Sequence, residues 1–225
     1  MAGFGVFGKM PSLGDFFRVG LPNSFVEPWD TWLQMGIHSA RTELNNQWNE
    51  CFMSAPIWRF TLGAGLAGPT AMMGVLMPSV DRVGRQFPLT LAMPIPHASE
   101  IPLAHFNGTE QFEHLERVAL GALEDGFTCE MLMARLVQVP NNLPVISGQV
   151  NANGSAVCVV GQNPIGQVAA SAIQLGAASS VWSAVLENDS LMLATAALPS
   201  PSQMRGLFDL NAPIWQEQTP AEASL

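Results

Sequence analysis

Nothing in this sequence narrows the choice of fold as sharply as two apolar runs with a charged stretch between them. The runs are Ala71-Met-Met-Gly-Val-Leu-Met77 and Phe87-Pro-Leu-Thr-Leu-Ala-Met93. Between them lies Pro78-Ser-Val-Asp-Arg-Val-Gly-Arg-Gln86, which carries Asp81, Arg82 and Arg85 in a chain where only 12% of residues are charged. The runs read as buried strands. Pro78 and Pro88 bracket the charged stretch and Gly84 permits a positive φ, which predicts a structured loop or an edge crossing. Two readings stand side by side: an internal ion pair that pins a strand connection, or a surface epitope or polar pocket floor. No catalytic mechanism follows from these residues.

Upstream, Ile57-Trp-Arg-Phe-Thr-Leu62 reads as a third strand, and Gly63-Ala-Gly-Leu-Ala-Gly-Pro69 as the turn after it. Three strands in succession with short connections imply antiparallel pairing. Arg59 sits between two aromatic residues, where a guanidinium can stack on Trp58 or reach a carboxylate across the sheet. Before these strands, Phe25, Trp29, Trp32, Leu33, Ile37, Ala40, Leu44, Trp48 and Phe52 recur at three- and four-residue steps. That periodicity predicts one helix from about Glu27 to Phe52, with Pro28 in its first turn and its tryptophans packed on the strands. Asp30, near the predicted helix N-terminus, suits the macrodipole.

The opening residues, Gly3-Phe-Gly-Val-Phe-Gly8 and then Lys9, match both Gly-x-Gly-x-x-Gly and Gly-x-x-x-x-Gly-Lys. Neither match predicts nucleotide binding. A dinucleotide fingerprint follows a strand and opens a helix, and nothing ahead of Gly3 supplies that strand. A phosphate-binding loop needs Ser or Thr after the lysine, and Met10 and Pro11 stand there instead. The stretch reads as a glycine-rich first strand ending at Lys9. Pro11 to Arg18 reads as a turn-rich segment.

Beyond the third strand, His97 to Gly108 reads as a loop. Thr109 is placed to cap a helix to about Asp125, with Phe112, Leu115, Val118, Ala119, Ala122 and Leu123 inward and Gly126 as its stop. Thr128 caps a second, short helix through Val137. Ser155 to Val160 reads as a buried strand, within a stretch from Val145 to Gln174 that is otherwise ambiguous. Val181–Leu186 and Leu191–Thr195 flank Glu187-Asn-Asp-Ser190 as a hairpin. Ser200-Pro201 starts a helix to Leu210, and Gln216 to Leu225 has the composition of a tail. The chain is thus expected to form one domain over 1–215 with a tail at 216–225.

Composition excludes several classes of function. The net charge is −9, and the imbalance is local. Through Pro96 there are six bases and six acids, whereas the remainder holds three bases and twelve acids. Neither a nucleic acid nor an anionic membrane suits that balance. No apolar run is long enough to span a bilayer, and no signal peptide is evident at the N-terminus. Cys51, Cys129 and Cys158 are odd in number, far apart and in apolar surroundings, so they read as buried free thiols of a reducing compartment, the cytoplasm. His38, His97, His105 and His114 show no metal-ligand spacing, and neither Cys-x-x-Cys nor Gly-x-Ser-x-Gly occurs. Glu113 and Glu116 read as solvated charge on a helix. No cofactor is expected, and the oligomeric state is left open.

Charges are scarce enough that the two polar motifs are expected to meet. Lys9, Asp15 and Arg18 lie in the first connection, and Asp81, Arg82 and Arg85 in the later one. A buried charge left unpaired costs on the order of 3–5 kcal/mol, so at least one ion pair or hydrogen bond should join the two. Asp81 can satisfy one arginine, leaving the other for a partner.

Taken together, several segments resemble the TagF (ImpM) family, accessory proteins of bacterial type VI secretion. They are Gly8-Lys-Met-Pro-Ser-Leu-Gly-Asp-Phe16, Leu21-Pro-x-x-Phe25, Pro28-Trp-Asp-x-Trp-Leu-Gln34, Ala55-Pro-x-Trp-Arg-Phe60 and Pro78 to Thr90. The resemblance covers roughly the first 95 residues, with Met10 where the family usually has leucine. It implies an α/β fold, a single three-layer α/β/α sandwich with a mixed, largely antiparallel sheet, similar to longin or SRX domains. It also implies a non-catalytic cytoplasmic regulator that represses assembly or firing of the apparatus post-translationally. The implied partner is a forkhead-associated (FHA) scaffold protein, within a threonine-phosphorylation pathway. Lys9, Asp15, Arg18, Asp81, Arg82 and Arg85 match the charged motif positions of the family, and no phosphatase domain of the kind some members carry is evident. Two alternatives remain: a hydrolase or phosphatase-like activity using the Asp81/Arg82/Arg85 cluster, or an anion or small-molecule sensor with Arg82, Arg85, Lys9 and Arg18 as ligands.

Overall fold

The chain opens with two short strands, β1 (Gly5–Gly8) and β2 (Phe17–Val19), followed by α1 (Asn23–Leu44) and α2 (Trp48–Ser54). Three strands follow, β3 (Trp58–Leu62), β4 (Met72–Met77) and β5 (Leu89–Pro94). Next come α3 (Ile101–Asn107), α4 (Thr109–Gly121) and α5 (Cys129–Leu136), then β6 (Gln149–Asn153) and β7 (Ala156–Val160). A hairpin of β8 (Ser180–Val185) and β9 (Ser190–Thr195) leads to α6 (Pro201–Phe208). This computed structural model describes residues 3–95, 101–140, 149–153, 156–160 and 179–216, with backbone only between 149 and 160.

Seven strands form one sheet in the order β2-β1-β5-β4-β3-β8-β9, and β6 pairs with β7 separately. The run β5-β4-β3 is the expected meander, with Phe60 opposite Gly74 and Val75 opposite Leu91. Every pairing among the described residues is antiparallel, so the sheet is not mixed. β4 is buried along its whole length because both faces of the sheet are covered. Its side chains alternate between two cores. Met72 and Leu76 join the core under α1, α2 and α6, whereas Met73, Val75 and Met77 join the core under α4 and α5.

Trp29 anchors the first core. Its Nε1–H donates to Thr90 Oγ1 at 3.0 Å, and its rings lie 4.9 Å from Phe60 and 6.0 Å from Trp182. Such aromatic pairs add about 0.5–1.5 kcal/mol each beyond their area burial. Trp32 and Trp48 are also buried, as the helical stripe predicts.

The structure corrects several local expectations. The long helix starts at Asn23 rather than near Glu27, with Pro22 as its N-cap, so Pro28 lies inside it and Asp30 stands beyond the first turn. It does not run unbroken to Phe52. Asn45 takes a φ of 46°, and a 3₁₀ turn over Asn45–Gln47 separates α1 from α2. The turn-rich segment contains β2, and the expected loop from His97 to Gly108 contains α3. Gly108, not Thr109, is the N-cap of α4, and the Thr109 hydroxyl donates to the Phe106 carbonyl instead. That helix ends at Gly121, short of Asp125, and Leu123 is exposed. Thr128 does cap α5, accepting from Met131 N–H at 3.3 Å. Ser200 caps α6 in a reciprocal box with Gln203. Cys51 and Cys129 are free but only half-buried, and burial pushes both thiols up. The side chain of Cys158, most of Val145 to Gln174, His97 and residues 217–225 lie outside the described residues.

Candidate functional site

The two polar motifs meet at Asp81. The β4–β5 connection folds tightly, with Asp81 N–H donating to the Arg85 carbonyl at 3.1 Å and Gly84 N–H to the Asp81 carbonyl at 2.9 Å. Gly84 sits at a φ of 83°, where a side chain would be strained. This turn points the Asp81 carboxylate inward, where it is fully buried and accepts from four donors. Oδ1 takes the backbone N–H groups of Val83 at 3.1 Å and Arg85 at 2.9 Å. Oδ2 takes Lys9 Nζ at 3.0 Å and Arg85 Nε at 2.6 Å. Burial alone would raise this carboxyl, but the hydrogen bonds from Arg85, Lys9 and Val83 outweigh it and hold the group well below the usual carboxylate range.

The first connection is stitched to the same turn. Arg82 N–H donates to the Leu13 carbonyl at 2.8 Å, and Arg85 Nη2 to the Gly14 carbonyl at 2.6 Å. Phe16 closes over Lys9, whose ammonium lies 4.9 Å from the ring centroid, and packs edge-on against Phe87 at 4.7 Å. Gln86 fastens the far side. It accepts from Trp48 Nε1 at 2.6 Å and donates to Asn49 Oδ1 at 2.9 Å, tying the loop to α2.

Of the six charged residues singled out in the sequence, the node brings together Lys9, Asp81 and Arg85, plus the backbone of Arg82. Asp15 and Arg18 stand outside it. Asp15 is exposed and accepts from Phe16 N–H at 2.8 Å, while Arg18 is exposed on β2 opposite Phe7. The Arg82 side chain is exposed and has no hydrogen bond or ion pair among the described residues, and neighbouring Val83 is 70% exposed. The two arginines therefore differ in their surroundings. Arg85 serves the internal carboxylate, and Arg82 faces outward beside an apolar tip. Phe16, Gln86 and the backbone carbonyls of Leu13 and Gly14 escape sequence reasoning, since the groups they meet are distant in the chain.

Asp81 has no oxygen left for a substrate, so acid–base chemistry at this cluster has no available group. A second polar network lies on the opposite face of the sheet. His105 is buried, with Nδ1 3.0 Å from Thr61 Oγ1 and Nε2 2.8 Å from Ser183 Oγ. The Ser–His contact superficially suggests a nucleophile and its base. Burial, aided by nearby Arg59, lowers the His105 pKa to about 3, which makes it a poor base at neutral pH. Ser183 also lies in mid-strand, paired with Arg59 and Met192 in the ladders. Arg59 itself stacks on neither neighbour and reaches no carboxylate across the sheet. It makes a bidentate pair with Glu116 of α4 at 2.6 and 2.7 Å and lies over Phe112, so Glu116 is not merely solvated charge. Gly5 and Gly8 lie in β1 as strand, no helix follows them directly, and the Lys9 ammonium is held by Asp81, so neither motif has the strand-to-helix geometry it requires. Among the described residues no group of three or more His, Cys, Asp or Glu is arranged to hold a metal ion. No helix among them is long and apolar enough to cross a membrane.

Comparison with known proteins agrees with this architecture. The crystal structure of PA0076 from Pseudomonas aeruginosa PAO1 is similar over 99% of this chain and 99% of that one, at 30% sequence identity and a TM-score of 0.77. No curated protein matches the chain. The family model described as the TagF N-terminal domain, type VI secretion system-associated, matches residues 5–139, which span β1 to α5 and contain the whole Asp81 node. With both motif-bearing connections inside that match, the chain belongs to the TagF N-terminal domain family associated with type VI secretion.

Proposed function

We propose that this chain is a non-catalytic, cytoplasmic regulator of type VI secretion that represses assembly or firing of the apparatus post-translationally by binding a partner protein. The partner is the forkhead-associated scaffold protein of the apparatus, as the family resemblance suggests. The observation that carries this reading is the division of labour at the β4–β5 turn. Asp81, Lys9 and Arg85 hold the turn from within, while Val83 is exposed and the exposed Arg82 side chain, lying over Gly14, makes no hydrogen bond or ion pair among the described residues. A fixed loop that presents a cation and an apolar tip is pre-ordered for a protein surface and loses little entropy on binding.

The test is a melting curve beside a secretion assay in a bacterium repressed by this chain. Arg82→Ala is expected to relieve repression while leaving Tm within about 2 °C, because its side chain makes no hydrogen bond or ion pair among the described residues. Arg85→Ala is expected to lower Tm by about 2–4 °C through loss of its bonds to Asp81 and Gly14, an effect limited by its exposure. Wild-type repression by the Arg82→Ala variant would remove this loop from the binding surface.

A further inference from the structure

The sheet has two edges, and among the described residues only one is protected. At one edge β2 has three residues, with exposed Arg18 at its centre and Gly20 at a φ of 77° just beyond. Short length and a central charge blunt an edge against further pairing. At the other edge β9 has six residues, Ser190-Leu-Met-Leu-Ala-Thr195, with no charge and no proline. Leu191 and Leu193 pack against the core, while Met192 is 43% exposed. Among the described residues no strand pairs with the outer side of β9.

We propose that β9 is the docking edge for a second copy of this chain, which adds its own β9 antiparallel across a two-fold axis at Met192. The phase of the β8–β9 ladder carries the argument. Leu186 N–H donates to the Asp189 carbonyl at 2.8 Å, and Ser180 lies opposite Thr195. Alternation from that bond turns the backbone groups of Leu191, Leu193 and Thr195 toward β8. The N–H and C=O groups of Ser190, Met192 and Ala194 therefore face outward. A reversed copy centred on Met192 offers the same three residues, pairing Ser190 with Ala194 of the partner subunit and Met192 with Met192 of the partner subunit. The edge is self-complementary, as a two-fold interface requires.

Charge selects the direction. Glu187 and Asp189 sit in the turn at one end of β9, and uncharged Ala196, Ala197, Leu198 and Pro199 follow the other end. In the antiparallel arrangement Asp189 faces Thr195 of the partner subunit, and the acidic turn lies at the end of the seam where β9 of the partner subunit runs into uncharged residues. A parallel neighbour would bring the acidic turns together in a chain that already carries −9. The Asp81 node lies toward the β2 side of the sheet, so this inference does not depend on the function proposed above.

The test is the mass of the full chain in solution from about 1 to 100 µM, by light scattering on a sizing column. The expected result is twice the 24.1 kDa chain mass at the upper end. Met192→Pro deletes an outward N–H and no β8 bond, and Met192→Lys places like charges on the axis. Both should weaken self-association at least about tenfold while keeping the wild-type far-UV spectrum. Met192→Cys carries the test independently if the proline variant misfolds. Hydrogen-bonded antiparallel partners have Cα atoms about 5.5 Å apart, so a short bifunctional thiol reagent should link this variant as a dimer far beyond the wild type. A wild-type chain of single mass throughout, a dimer that persists in the lysine variant, or no additional cross-linking in the Met192→Cys variant would each overturn the proposal.

Discussion

Asp81 and His105 are both buried titratable groups, and they respond to acid in different ranges of pH. The Asp81 carboxyl is depressed in the folded chain, so its contribution is complete above the unfolded value near 4 and is lost only as pH falls below that. His105 behaves differently. Burial and Arg59 lower it to about 3, while in the unfolded chain it titrates near 6.5. Between those values the unfolded state binds the extra proton, so stability falls as pH drops through that window, by at most about 1.4 kcal/mol per unit. Urea unfolding across pH 4 to 7 should show that slope, and His105→Gln should flatten it. An unchanged slope in the variant would assign the acid sensitivity elsewhere. At the Asp81 node, Lys9→Met removes one of two cations from a buried carboxylate and is expected to lower Tm by about 5–10 °C, measured by calorimetry.

At the scale of elements, the break between α1 and α2 is a backbone feature that the apolar stripe does not record. The stripe continues from Leu44 to Trp48 and Phe52, and all three are buried, so periodicity alone argues for one helix. Asn45 interrupts it at a φ of 46° with a ψ of −115°, a conformation suited to glycine. The interruption lets Trp48 reach Gln86 and Asn49 meet the same side chain, which couples α2 to the Asp81 loop. Asn45→Gly should therefore raise stability, by about 1 kcal/mol or 2–4 °C in Tm, since relief of strain exceeds the added entropy of the unfolded chain. A lower Tm for this variant would mean that the Asn45 side chain has a supporting role. Pro28 shows the complementary case. Inside α1 it removes the hydrogen bond to the Ser24 carbonyl, and the Gly68 backbone lies against that carbonyl, leaving no room for a Cβ there.

At the scale of the whole molecule, the family match ends at residue 139 but the first core does not. Trp182 of β8 packs on Trp29, Trp32 and Phe60, and Trp58 Nε1–H donates to the Leu207 carbonyl at 2.7 Å. Met204, Leu207 and Phe208 of α6 are buried against the same cluster. A fragment ending at residue 140 leaves that face of β3 without β8 and α6. It is expected to lack a cooperative thermal transition, which differential scanning calorimetry would reveal. A sharp transition in the fragment would show that β1 to α5 suffice as a folding unit.

Local chemistry made much of this legible from the residues. Apolar runs separated by short turns specify the β3-β4-β5 meander, and hydroxyl caps at Thr128 and Ser200 mark two helix starts. Scarcity of charge explains why Lys9 had to meet Asp81, since a buried charge must find a partner wherever the chain allows. What stayed hidden depends on groups distant in sequence. β2 has only three residues and exists because β1 pairs with it. α3 carries His105 between Thr61 and Ser183, which lie on two different strands. Glu116 reads as a surface charge until α4 packs on β4 and β5 and sets it against Arg59 of neighbouring β3. Asp81 has one carboxylate and two nearby arginines, and backbone geometry at the turn determines which of them turns inward. Short-range periodicity and capping operate within a few residues, whereas these choices follow from how layers of the sheet and helices come to rest on one another.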